Sequence, residues 1–228
     1  SAAEVIQREV RLIKAAKPVL SAACAKPTDF KGGGFEKAKV AFSSLALAFG
    51  VIAAYDQDAR WKKDAVTARD LFARAGFNCK VGTDQSFAES KARLEDLELL
   101  LDGNAPKGKP DRDEDFTWSQ VAGRPALMKR LEQAEDAMRA ATADQSGFKG
   151  RRDELMRAVE VVAAVGEVIR RPDFEYHDDD TYLGHAAAMR DAAVEARAAV
   201  EKKDFEAARA AVGRIGKSCS ACHGDYRG

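Results

Sequence analysis

Apolar residues recur along most of this chain at three- and four-residue spacing, the repeat of a helix with one buried face. The pattern predicts eight helices: Ala3 to Ala23, Phe35 to Tyr55, Asp58 to Ala75, Ser86 to Leu101, Pro125 to Ala141, Arg151 to Arg171, Tyr182 to Glu201 and Phe205 to Tyr226. Runs rich in β-branched residues are nearly absent, and Ala, Leu, Glu, Lys and Arg prevail, so the expected class is all-α. Between the fourth and fifth helices, Asp102 to Gly123 is rich in Gly, Pro, Lys and Asp, the breakers and solvated charges of a linker. Its Phe116, Trp118 and Val121 predict that part of it docks.

Short turns join most of the helices within each set of four, which predicts two tandem up-down-up-down bundles. Residues 1–102 form the first, 103–123 the linker and 124–228 the second. The topology places the start of the first helix, the turn between second and third, and the end of the fourth at one end of each bundle. The halves also read as a diverged repeat. Phe30-Lys31-Gly32 sits where Phe148-Lys149-Gly150 sits in the other half, and Trp61, Ala65, Arg69, Asp70 and Ala75 align without gaps on Tyr182, Ala186, Arg190, Asp191 and Ala196.

Composition narrows the partners. Lys plus Arg number 37 and Asp plus Glu 37, so no global field gathers nucleic acid or an anionic membrane. The longest apolar stretch, Val40 to Ala54, is interrupted by Ser43, Ser44 and Gly50 and is shorter than the ~20 residues a span needs. It reads as a buried helix, with no membrane span expected.

The chemistry concentrates in Cys219-Ser220-Ala221-Cys222-His223, the C-x-x-C-H signature of covalent haem attachment. Thiols three residues apart share one helical face, and the adjacent imidazole then meets the iron of the ring tethered there. A thioredoxin-like dithiol would accompany a βαβ pattern, which is missing. A zinc site would need a second ligand pair, which the remaining Cys and His do not form at zinc spacing.

The ending from Ile215 to Arg227, on the last helix of a four-helix set, resembles the class II c-type cytochromes, the cytochrome c-prime family. The resemblance covers roughly Gly123 to Gly228; the first half shares only the helical pattern. It implies one covalent haem c, His223 as proximal iron ligand, and an early Arg-x-x-x-Met on the first helix of the bundle, which Arg124 and Met128 match. Topology also puts Met128 at the bundle end of His223, as a distal ligand or a packing residue. His185 and His177 compete for the sixth position, and Arg124, Arg170, Arg171 and Arg227 are expected near the propionates, Arg124 and Arg227 foremost. The expected function is periplasmic electron transfer with redox protein partners; a five-coordinate protein binding NO or CO is the alternative. No second acid–base or nucleophile constellation accompanies the motif, so no enzyme is expected.

The first bundle has no C-x-x-C-H: its fourth helix ends Leu99-Leu100-Leu101, and Leu12 takes the place of Met128. It reads as a haem-less copy. Cys24 follows its first helix and Cys79 its third, at one end of the bundle, and an oxidising extracytoplasmic compartment would let them pair as a disulfide. Family members dimerise through their first two helices. The resemblance therefore implies that the first bundle covers that surface as an internal pseudo-dimer, leaving a monomer.

Overall fold

The structure, a computed structural model, describes residues 2–110 and 117–226, with side chains from Glu9 onward. It is 79 % helical with no strand among the described residues, which establishes the all-α class. The eight long helices are α1 (Ala2–Ala23), α2 (Phe35–Ala54), α3 (Ala65–Asn78), α4 (Asp84–Leu101), α5 (Arg124–Ala141), α6 (Arg152–Val168), α7 (Asp180–Glu201) and α8 (Phe205–Tyr226). Short helices at Trp118–Val121 and Gln145–Gly150 add to them. Two compact units result, Ser1–Leu127 and Met128–Gly228, so the first turn of α5 is counted with the first unit.

Local chemistry sets the helix ends. Thr83 and Ser86 exchange side-chain and backbone bonds in a capping box that starts α4. Asp179 accepts the N–H groups of Thr181 and Tyr182 at 2.8 and 3.0 Å to start α7. The third helix differs most from expectation, starting at Ala65 rather than Asp58. Trp61 adopts a left-handed φ of 67°, which keeps the chain before it out of the helix, and only a 3-10 turn at Lys62–Asp64 leads in. Pro27–Asp29 and a π turn at Phe30–Gly34 extend α2 backwards, broken by Gly33 at φ +123°, a conformation that suits glycine.

The run Pro27–Ala54 is consequently longer than its apolar pattern indicated. By length and composition it passes for a membrane-crossing helix, but 67 % of its apolar window is buried inside the unit, as in a core helix.

Aromatic packing dominates the first unit. Phe42 stacks on Phe72 at 6.0 Å between ring centres, and Phe49 meets both Phe72 (5.6 Å) and Trp61 (5.8 Å). The Trp61 indole N–H donates to the Leu100 carbonyl at 2.5 Å, tying the end of α4 to the start of the third-helix region. Segments from the expected linker pack into this unit. Buried Asp96 accepts the backbone N–H groups of Lys107 (2.7 Å) and Gly108 (3.3 Å) and also binds Arg93 at 2.8 Å. Trp118 lies so close to Gly50 that an added Cβ there would come within 2.9 Å of its ring. Val121 joins the core; Phe116 falls outside the described residues.

In the second unit α6 and α7 run antiparallel in close contact. A Cβ on Gly166 would meet Arg190, the Ala186 carbonyl and Met189 at 3.1 to 3.2 Å, so glycine permits the approach. Arg152 at the start of α6 donates to the Val200 and Glu201 carbonyls at the end of α7. The antiparallel α7–α8 pair carries an Arg214–Glu195 ion pair near the middle of α8 and a Ser218–His185 bond one turn further on. Phe148, just beyond α5, packs edge-on against Phe205 at the start of α8 (5.6 Å), so α5 and α8 also run in opposite directions.

Candidate haem site

Asp204 caps the start of α8 by accepting the Ala207 N–H at 3.0 Å, and the helix continues through the whole C-x-x-C-H sequence to Tyr226. Its buried stripe is Phe205, Ala208, Ala211 and Ile215; beyond it Cys219 and Cys222 are half-buried and His223 is exposed. Both thiols are free. Cys219 Sγ lies 3.7 Å from Met189 Sδ on α7, and burial, followed by the Glu135 carboxylate and Cys222, pushes its thiol up to about 11.

Glu135 also sets the register between α5 and α8. A Cβ on Gly216 would meet only its carboxylate oxygen, at 3.8 Å, so across that point the two backbones stand a long side chain apart. One heptad along α8 from Gly216 is His223, and one heptad back along α5 from Glu135 is Met128. Residues seven apart lie within about 20° on a helix. In antiparallel helices both steps go towards the same end, by about 10 Å. His223 and half-buried Met128 thus each lie one heptad from that contact, towards the same end of the unit.

The other expected residues are spread more widely. His185 lies on the Ser218 and Asp225 side of α8, away from the stripe of His223, with its Nε2 2.9 Å from Asp225. His177 is a loop residue whose Nδ1 is 3.0 Å from the Phe174 carbonyl. Arg170 and Arg171 both pair with Glu167. Arg124 opens α5 half-buried, one turn before Met128, and Arg227 falls outside the described residues. The expected Cys24–Cys79 bridge is not formed: both are buried free thiols, and Cys79 Sγ contacts Ser90 Oγ at 3.4 Å instead. They are near enough that charge on Cys79 adds to the burial that raises Cys24 to about 11.

Sequence reading gave no role to Ser218, Asp225 or Tyr226, although they flank the motif. Tyr226 donates its hydroxyl to Asp179 at 2.7 Å and packs on Tyr176 (4.9 Å) and Tyr182 (5.4 Å). That bond pushes Tyr226 up to about 12 and holds Asp179 below the usual carboxylate range. The Asp178 to Asp180 run was legible as a helix cap, but not as the partner of a tyrosine 47 residues away.

A c-type haem fits this arrangement on grounds beyond the motif. The fully buried phenylalanines, Phe30, Phe42, Phe49 and Phe72, all belong to the first unit. Along the middle of the second the buried residues are mostly small: Ala158, Val159 and Val162 on α6, Ala192 and Ala193 on α7, Ala208 and Ala211 on α8. The space a planar ring would need beside the motif is bounded by Met189 on α7 and Glu135 on α5. Among the described residues no group of three or more His, Cys, Asp or Glu is placed to hold a bare metal ion.

Fold and motif thus define a class: a helical bundle whose last helix carries a C-x-x-C-H sequence. Residues 174–227 match the family model described as Cytochrome C', and the first half has no family match. The C-terminal part of the chain is accordingly similar to c-type cytochromes, a family that binds haem c, is generally periplasmic and is typically not enzymatic. No curated protein and no solved structure matches the chain.

Proposed function

We propose that the second unit is a single-haem c-type cytochrome that carries electrons outside the cytoplasm and turns over no substrate. Cys219 and Cys222 would hold the haem covalently, with His223 on α8 and Met128 on α5 as the residues offered to its iron. The group supplies a one-electron Fe(III)/Fe(II) couple. The residues around it tune that couple: Met128 as a thioether donor, the alanine- and valine-rich helices by excluding water, and Glu135 as a negative charge beside Cys219. The observation that supports this reading is the Gly216–Glu135 contact, from which His223 and Met128 each lie one heptad away towards the same end.

Absorption spectra of the ferric and ferrous protein test it. A low-spin spectrum that turns high-spin in Met128→Ala supports the electron carrier. High-spin iron in the unaltered protein, binding CO or NO readily, would replace it with a gas-binding role.

We also read the first unit as a haem-less copy of the second. Matched positions with matched contacts support this. Phe30 meets Phe87 at the start of α4 at 5.4 Å and 62°, as Phe148 meets Phe205 at the start of α8 at 5.6 Å and 62°. Arg69 and Asp70 form the same neighbouring pair as Arg190 and Asp191, at 2.7 and 2.8 Å.

A further inference from the structure

Helix ends fray because their last carbonyls lack partners, yet the end of α8 that carries the motif is tied down at three points by α7 and its cap. Ser218, immediately before the motif, donates its hydroxyl to the His185 carbonyl at 2.7 Å. Asp225, two residues after His223, meets His185 Nε2 at 2.9 Å, and Tyr226 donates to Asp179 at 2.7 Å. His185 thus grips both sides of the motif, by main chain on one and ring on the other. Tyr176 and Tyr182 complete the grip by packing on Tyr226. Capping of α7 does not account for it, because Asp179 already caps through Thr181 and Tyr182, and the bond to Tyr226 is additional.

We propose that His185 and Asp179 are positioning residues for His223: together they fix the rotation and height of the last turn of α8, so that the imidazole is presented towards α5. A ligand on a fraying turn would share its motion, and axial ligands tune iron only when a supporting shell holds them. With its ring on Asp225 and its carbonyl on Ser218, His185 acts on the site through His223 rather than as an iron ligand. The proposal rests on the haem reading above.

The test uses the haem-loaded full chain. His185→Phe keeps a ring beside Tyr226 and leaves the main-chain bond to Ser218. Tyr226→Phe removes one hydroxyl and keeps the aromatic packing, so both are expected to fold. Asp179→Asn retains an acceptor for Tyr226 and should restore what Asp179→Ala loses. The control, Arg214→Gln, breaks the ion pair with Glu195 on the same two helices away from the motif. In His185→Phe/Tyr226→Phe, amides of the last turn of α8 should exchange about tenfold faster. At an ambient potential equal to the unaltered midpoint, the ferrous-to-ferric ratio should rise about threefold, because a looser imidazole donates less to Fe(III). Arg214→Gln should change neither.

Faster exchange with an unchanged ratio would reduce the grip to ordinary helix packing and overturn the proposal, as would a control that behaves like the double variant. A pyridine haemochrome assay on the unaltered chain separates the two readings. If it finds no haem, both fall; if it finds haem while the double variant matches the original, only the positioning role falls.

Discussion

At one matched position the first unit buries Phe72 and the second buries Ala193, each completely. Phe72 reaches Phe42 and Phe49, and Phe49 reaches Trp61, so aromatic rings fill the middle of the first bundle. Ala193 has small buried neighbours in Ala192 and Ala196, and the larger aromatics of the second unit lie towards its ends, Phe148 and Phe205 at one and Phe174 and Tyr182 at the other. Interiors pack to near-crystalline density, so a haem proposed for the second unit would have to form part of its packed core. The difference teaches that the first bundle builds its core from aromatic rings and the second from smaller side chains, as the haem proposed for it would require.

The sharpest way to break that comparison is to prevent attachment. In Cys219→Ala/Cys222→Ala the second unit should lose cooperative unfolding in calorimetry, a loss of several kcal/mol, as when a tight ligand that binds only the folded state is withdrawn. The first unit should keep its transition. If both units melt unchanged, the second core is complete without haem.

A smaller effect separates the matched ion pairs. Arg69 is 5 % exposed, whereas Arg190 is part-exposed and its partner Asp191 exposed. Breaking a buried pair leaves an uncompensated charge, so Arg69→Gln should cost about 3 to 5 kcal/mol. Arg190→Gln, at the surface, should cost under about 1 kcal/mol in urea unfolding. Equal costs would mean that burial does not distinguish the two bundles at this level.

Buried thiols give the first unit its own pH dependence. Burial is the largest cause raising both Cys24, to about 11, and Cys79. A folded-state value above the unfolded one stabilises the neutral thiol in the folded unit. That contribution is complete below about pH 8.5, where unfolded thiols are still protonated, and is lost as pH rises through about 11. In the reduced protein the midpoint of the first unit should fall by about 5 °C across that window. Cys24→Ala/Cys79→Ala should flatten the dependence. A slope that survives the substitutions would place it elsewhere.

What was legible in the sequence follows from range. Helix identity rests on spacing within a few turns, and α8 runs over the span its pattern marked, Phe205–Tyr226. The start of α3 was missed because Trp61 is fixed by a bond to Leu100, 39 residues away, and not by its neighbours. The attachment motif was legible because covalent chemistry fixes its spacing. The ties that hold it were not, since Asp179 and Tyr226, or His185 and Asp225, have no sequence proximity and meet only once α7 and α8 pack. Chemistry alone likewise allowed a Cys24–Cys79 bridge, but the side-chain placement that gives Cys79 to Ser90 is set by tertiary packing.

The smallest expected effect tests the proposal that the first unit is a haem-less bundle. Leu12 was matched to Met128, and a leucine cannot ligate iron, so the missing ligand is one explanation. The packing supplies another. Phe49, Phe72 and Trp61 pack on one another in the core of the unit, and α4 ends in Leu97, Leu100 and Leu101 rather than thiols and an imidazole. These explanations differ in what Leu12→Met should do. If the distal residue were decisive, the new thioether would change the spectrum of the haem-loaded protein or raise its haem content above one per chain. If filled volume and the absent attachment residues decide, a Leu→Met exchange at half-buried Leu12 should leave spectrum and haem content unchanged and move the unfolding free energy by under about 1.5 kcal/mol. The aromatic core and the end of α4 predict the second outcome, because a ligand atom alone does not supply the thiols and imidazole that α4 lacks.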